Sequence, residues 1–283
     1  MAANTVGFPN TTGAKETAAG RPLLEIRNLT AGYADKTVLS EVSLSLMPGE
    51  IIGIAGESGS GKSTLLKSIL RYPGSQVEIL SGRIVFDGRE ISSFTEKELR
   101  QISGKAVCMI FQKPEASMDP VMKVRNQFIE SVRAHDAGKS KEEIRAMAVD
   151  WLKRLRFRDS ERVLASYPFE LSGGMNQRVA IAMAMMMEPQ LILADEPTSA
   201  LDVTVQAEVI RSMRELSRET GASVLIVSHN IHVLRVISDR IGIMYKGRLV
   251  EFGVTGDVLE NPQHEYTRHL LAAVPAIPGG NRS

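Results

Sequence analysis

Apolar and polar residues alternate over residues 23–29 and 38–46, the period of a strand with one buried face. In the second segment Val42, Leu44 and Leu46 share a side. Pro48-Gly49 then predicts a turn. Residues 51–55 form a short unbroken apolar run, as in a strand buried on both faces. A glycine-rich loop and helical spacing over residues 62–70 follow, with further strand candidates at 82–86 and 106–111. From residue 124 to about 157 the period changes. Ile129, Val132, Ile144, Met147, Trp151, Leu152 and Leu155 recur at helical spacing among charges. The pattern predicts a helical unit inserted into an α/β core. A strand returns at 191–194, then a helix from 203 to about 218, a strand at 223–227 and a helix near 231–237. Residues 241–245 and 248–252, joined by Lys246-Gly247, read as a hairpin.

Composition narrows the class without naming a chemistry. With 43% hydrophobic residues in 283, the chain can bury a sizeable core. A net charge of +1 supplies no basic field for nucleic acid. The single cysteine, Cys108, excludes an internal disulfide and a four-cysteine metal or iron–sulfur site. Residues 1–21 lack the apolar core of a signal peptide and are expected to be a disordered lead-in. The longest apolar stretch, 179–194, is interrupted by Glu188, Pro189 and Gln190, so no membrane span is expected.

Candidate chemistry begins after the apolar run at 51–55. Gly56, Glu57, Ser58, Gly59, Ser60, Gly61, Lys62 and Ser63 fit the P-loop pattern between a strand and a helix, and Thr64 continues it. Glycines let backbone N–H groups turn inward toward phosphate oxygens, and the helix start adds positive potential. Lys62 is placed to contact the terminal phosphates of ATP, and the Ser63 hydroxyl to ligate Mg2+. A second apolar strand ends in Asp195-Glu196. There Asp195 can assist Mg2+ through a water while Glu196 polarises the attacking water.

Leu171, Ser172, Gly173, Gly174, Met175, Asn176 and Gln177 narrow the class further. Ser172 is a plausible N-cap, and the two glycines bare helical amides as a second anion-binding terminus. This segment resembles the signature of ABC ATPases, just upstream of the Walker B strand as in that family. The resemblance covers residues 23 to about 275. It implies a P-loop NTPase fold of the α/β class, with an ABC ATPase core, an antiparallel β subdomain and an inserted α-helical subdomain. The ABC ATPase domain would span residues 22–260, the helical subdomain about 113–187, and a family-type tail 261–283.

The resemblance also implies roles. The signature would reach ATP held by the opposite subunit of a head-to-tail dimer. Gln112 matches the Q-loop that senses Mg2+ and water. Residues 199–202, ending in Asp202, match the D-loop that crosses the dimer interface. His229 matches the switch histidine on the γ-phosphate. Tyr33 stands where ABC ATPases place an aromatic against adenine, a contact worth roughly 0.5–1.5 kcal/mol. Tyr167-Pro168, the run 195–206 and the tail around Asn261-Pro262 and Tyr266-Thr267 look most like ATPase subunits of peptide and nickel importers.

Asn176 departs from the arginine common there, and Asn230 from the aspartate common after the switch histidine. The tail has no cysteine, so no iron–sulfur cluster is expected. Such importers pair two different ATPase subunits with two transmembrane permeases and an external solute-binding protein, on the cytoplasmic face of the inner membrane. Met183, Met185, Met186 and Met187 are read as core rather than as a metal site.

Overall fold

In this computed structural model, residues 20–273 are described except Asp35, Pro73, Glu115, Ala116 and Ala200. The expected lead-in falls outside the described residues up to position 19, as do the tail beyond 273 and Ala200 of the D-loop segment.

Two sheets share the strands. β1 (Leu24–Tyr33), β2 (Lys36–Leu46), β4 (Glu78–Phe86) and β5 (Arg89–Glu90) form an antiparallel sheet in the order β2-β1-β4-β5. The second sheet has the order β10-β9-β3-β8-β7-β6. Its members are β3 (Ile51–Ala55), β6 (Val107–Ile110), β7 (Leu191–Asp195), β8 (Ser223–Ser228), β9 (Arg240–Tyr245) and β10 (Arg248–Val254). Strands β9, β3, β8, β7 and β6 run parallel, and β10 returns antiparallel to β9 as the expected hairpin.

Every residue of β3, β7 and β8 is buried, which is why these strands read as unbroken apolar runs. Their alternate side chains enter different cores, as the two-residue period requires. Ile52, Ile54, Leu193, Leu225 and Val227 join the inner faces of β1, β2 and β4 and the helix α1 (Lys62–Leu70). Ile51, Ile192, Val224 and Ile226 join the other core with the helices that follow β6.

Among the described residues, four α-helices lie between β6 and β7, α3 (Val124–Arg133), α4 (Lys141–Arg154), α5 (Ser160–Ala165) and α6 (Gly173–Met186), with a 3-10 turn at Pro168–Glu170 before the last. They meet through Phe128, Ile144, Trp151, Leu152, Val179 and Ile181, all buried. Starts are capped where the sequence allows: Ser140 with Glu143 closes a capping box on α4, and Asp159 caps α5. Gln127, 5% exposed, ties the loop before α3 by donating to the carbonyls of Asp119 at 2.9 Å and Met122 at 2.8 Å.

Periodicity does not single out α2 (Glu96–Ile102), α5 or the two short helices beyond β10. The Thr95–Glu98 capping box that starts α2 was its available signal. After β7 come α7 (Val203–Thr220), α8 (Ile231–Ile237), α9 (Thr255–Glu260) and α10 (Glu265–Ala272). Among the described residues no helix is long and apolar enough to cross a membrane.

Candidate functional site

Parallel strands in the order β3-β8-β7-β6 place four chain ends along one sheet edge. Gly56 follows β3, His229 follows β8, Glu196 follows β7, and Gln112 lies two residues past β6. Ligands of open α/β sheets bind at such carboxyl edges.

The loop after β3 needs glycine where space and torsion demand it. A Cβ on Gly56 would run into the Met244 carbonyl and the Ser60 hydroxyl. Gly61 has φ +106°, in the left-handed range that favours glycine, and starts α1. Glu57, Ser58 and Gly59 are exposed at the tip, whereas Ser60, Lys62 and Thr64 are buried. Ser60 Oγ is buried without a hydrogen-bond partner, so the loop interior has unspent polar capacity.

Lys62 is 5% exposed, and its ammonium donates to the carbonyls of Gly56 and Glu57, both at 2.8 Å. Burial lowers its pKa, against the opposing charges of Glu196, Asp195 and Glu57. Its hydrogen bonds go to neutral carbonyls, which a charged oxygen can outcompete.

Ser63 Oγ donates to Asp195 Oδ1 at 2.8 Å, which joins the start of α1 to the end of β7. Burial raises the Asp195 pKa, the Ser63 hydroxyl opposes this, and the neighbouring Glu196 charge adds to it. A hydroxyl and a carboxylate beside a glycine-rich loop fit Mg2+, which binds through few protein oxygens and completes its shell with phosphate and water. No cluster of three or more His, Cys, Asp or Glu that could hold a metal occurs among the described residues. The Ser63–Asp195 pair by itself supplies two protein oxygens, a set that suits an ion arriving with its substrate.

Glu196 collects the remaining strand ends. Its Oε2 accepts Gln112 Nε2 at 3.1 Å and lies 3.0 Å from His229 Nδ1. Its backbone sits at φ +44°, a left-handed conformation uncommon outside glycine. The backbone N–H of Glu196 is held by the Val227 carbonyl at 2.9 Å, which fixes the turn.

Other predicted residues lie as follows. Tyr33 ends β1 half-buried, its hydroxyl 3.2 Å from Thr64 Oγ1 on α1. Ser172 caps α6 by accepting the Met175 N–H at 3.3 Å. Ser172 and Gly173 are exposed, and a Cβ on Gly173 would meet nothing within 4 Å. Gly174 faces Leu201 and Val205. Asp202 caps α7, its carboxylate accepting the N–H groups of Thr204 at 3.1 Å and Val205 at 3.0 Å.

Both asparagine departures have local work. Asn176 is buried and donates to the Pro168 carbonyl at 2.9 Å. Asn230 caps α8 through the His232 N–H at 3.0 Å and reaches Gln206 at 3.3 Å. Sequence reasoning did not connect Tyr245 and Tyr266 with the loop. Tyr266 Oη accepts the Glu57 N–H at 3.2 Å. Burial raises the Tyr266 pKa, and the Glu57 amide opposes this.

The glycine-rich loop after β3, the Ser63–Asp195 pair and the Glu196 carboxylate that follows Asp195 at the end of β7 form the arrangement of P-loop nucleotide hydrolases. Residues 39–199, more than half of the chain, match the family model described as ABC transporter. A probable D,D-dipeptide transport ATP-binding protein of Escherichia coli K12 is 42% identical over 274 residues, which cover 92% of this chain and 83% of the relative. A dipeptide transport ATP-binding protein of Lactococcus lactis is 35% identical, covering 92% of this chain and 75% of the relative. A peptidoglycan transport ATP-binding protein of Agrobacterium fabrum is 42% identical over 90% of this chain, but the chain spans only 47% of that relative's length.

Among solved structures, a dimeric ATP-binding cassette bound to ADP and Pi in a post-hydrolysis state has a TM-score of 0.73 at 29% identity. The match covers 82% of this chain and 98% of that one. A component of an ABC transporter complex from Clostridium perfringens has a TM-score of 0.72 at 27% identity, covering 90% and 96%. This chain belongs to the ABC transporter family, as an ATP-hydrolysing cassette.

Proposed function

We propose that the chain is the ATPase subunit of an importer for peptides or a related small solute, nickel included. It works on the cytoplasmic face of the inner membrane with a second ATPase subunit of different type, two permeases and an external binding protein. The peptide assignment is supported by the relatives named for dipeptide transport. The observation that carries the ATPase reading is the meeting of Gln112 and His229 on Glu196, next in the chain to the Ser63–Asp195 pair.

In this reading the amides of residues 56–64 cradle the phosphates of ATP, and Lys62 leaves the Gly56 and Glu57 carbonyls to meet them. Tyr33 flanks the adenine. Ser63, Gln112 and Asp195, the last through a water, would hold Mg2+, which supplies Lewis-acid polarisation of the phosphates. Glu196 takes the proton of the attacking water, Gln112 orients that water, and His229 donates to the γ-phosphate oxygens. Ser172, Gly173 and Gly174 contribute their helix terminus to the nucleotide held by the partner subunit, and Asp202 lies at the same interface. ATP thus closes the dimer and phosphate loss reopens it, a motion passed to the permeases through the Gln112 segment and α3–α6.

The test is uptake into proteoliposomes holding the assembled transporter and its binding protein. MgATP-driven accumulation of short peptides, abolished by Lys62→Ala in this subunit, is expected. Nickel accumulation with no peptide uptake would narrow the solute to nickel, and accumulation of neither would overturn the solute assignment. Peptide accumulation unchanged by Lys62→Ala would overturn the role of the loop.

A further inference from the structure

Tyr266 lies on α10, in a tail that the reaction as described does not use. A chain of contacts carries it to the phosphate loop. Glu251 on β10 accepts the backbone N–H of Gln263 at 2.8 Å and of His264 at 3.1 Å, pinning the turn before α10. His264 Nδ1 accepts the Tyr266 N–H at 3.1 Å and caps the helix. The Tyr266 ring stacks on Tyr245, with centroids 4.0 Å apart and planes 25° from parallel. Tyr245 ends β9, and β9 pairs with β3, the strand that feeds the loop. So placed, the phenolic oxygen accepts the Glu57 N–H at 3.2 Å.

The other end of that peptide group gives the contact its meaning. The Gly56 C=O and the Glu57 N–H belong to one planar unit and turn together. Lys62 holds the carbonyl end at 2.8 Å, and Tyr266 holds the amide end. When Lys62 moves to a phosphate, its grip on the Gly56 carbonyl ends. The Tyr266 bond remains to set the orientation of the loop's first peptide.

We propose that Tyr266 is a positioning residue for nucleotide binding: the tail helix clamps the Gly56–Glu57 peptide so that the loop keeps its shape when Lys62 departs. The inference rests on the reading of residues 56–64 as the phosphate cradle. A loop already in its binding shape pays less ordering cost when the ligand arrives. Losing one such hydrogen bond should weaken nucleotide binding by about three- to tenfold.

Tyr266→Phe removes the acceptor and keeps the stacked ring. Calorimetry of the full-length protein with MgADP should show Kd raised about three- to tenfold with the melting temperature unchanged. In the assembled transporter KM for ATP should rise alike, with kcat within about twofold. Glu251→Ala, which frees the start of α10, should raise Kd in the same direction. The double variant should bind no more weakly than the weaker single variant, because both act on one contact. Lys62→Ala is the control. If it weakens binding while Tyr266→Phe does not, or if the two tail variants add independently, the clamp is overturned and the cradle stands. If Lys62→Ala binds MgADP as wild type does, the cradle reading itself falls.

Discussion

Gly173→Ala separates what α6 needs for its own folding from what it offers another subunit. Gly173 is the first residue of α6, and an added Cβ would meet nothing within 4 Å in this chain. At the next position a Cβ would come within 3.3 Å of Leu201 Cδ2 and 3.4 Å of Val205 Cγ1, so only Gly174 is constrained from inside. Alanine in place of glycine gains up to about 1 kcal/mol in a helix interior, and less in the first turn. At about 2–4 °C per kcal/mol for a chain of roughly this size, the melting temperature should rise by about 0–3 °C. Binding of MgADP to this chain's own loop should not change. If the bare amides face a partner's nucleotide, however, the methyl group occupies the space of a phosphate. Alanine keeps the N–H, but pushing the transition-state anion out of reach of one preorganised donor has the effect of losing it, about 10²–10³ in rate or roughly 2.7–4 kcal/mol. The readout is single-site turnover at the partner's nucleotide in the assembled transporter, beside a thermal melt and MgADP calorimetry of this chain. Turnover within about twofold of wild type would refute the split-site argument, because an alanine that fits this chain has no other reason to be harmless there.

Glu196→Gln keeps the side-chain shape but removes the base. Single-turnover hydrolysis at this subunit's site should fall about 10²–10⁴-fold while ATP binding persists, and an unchanged rate would remove Glu196 from that role. Cys108 on β6 is buried and its thiol is pushed up to about 12 by burial. At pH 8 iodoacetamide should therefore label the native protein several orders of magnitude more slowly than the denatured chain; labelling at equal rates would show that β6 opens freely beside Gln112.

How much of this was legible depends on the range of the signal. The edges of β3 and α1 are readable to the residue and α8 approximately, because an unbroken apolar run, a glycine-rich loop and a short helical repeat are local patterns. The start of α2 is as local, in the Thr95–Glu98 capping box, but seven residues carry little periodicity to support it. Tyr33 reads as an aromatic near the loop, but its hydroxyl contact with Thr64 depends on how β1 packs over α1. The long-range groups needed the fold itself. Gln112 and Glu196 are 84 residues apart and Glu196 and His229 are 33 apart, and each follows within two residues a strand that is recognisable on its own. What the chain does not spell out is the lateral order β3-β8-β7-β6. That order is decided when alternate residues of each strand must fill two different cores at once. Tyr266 obeys the same physics one step further out. Its position relative to Glu57 follows from the Glu251 anchor and the β9–β3 pairing, two contacts that only a finished sheet brings together.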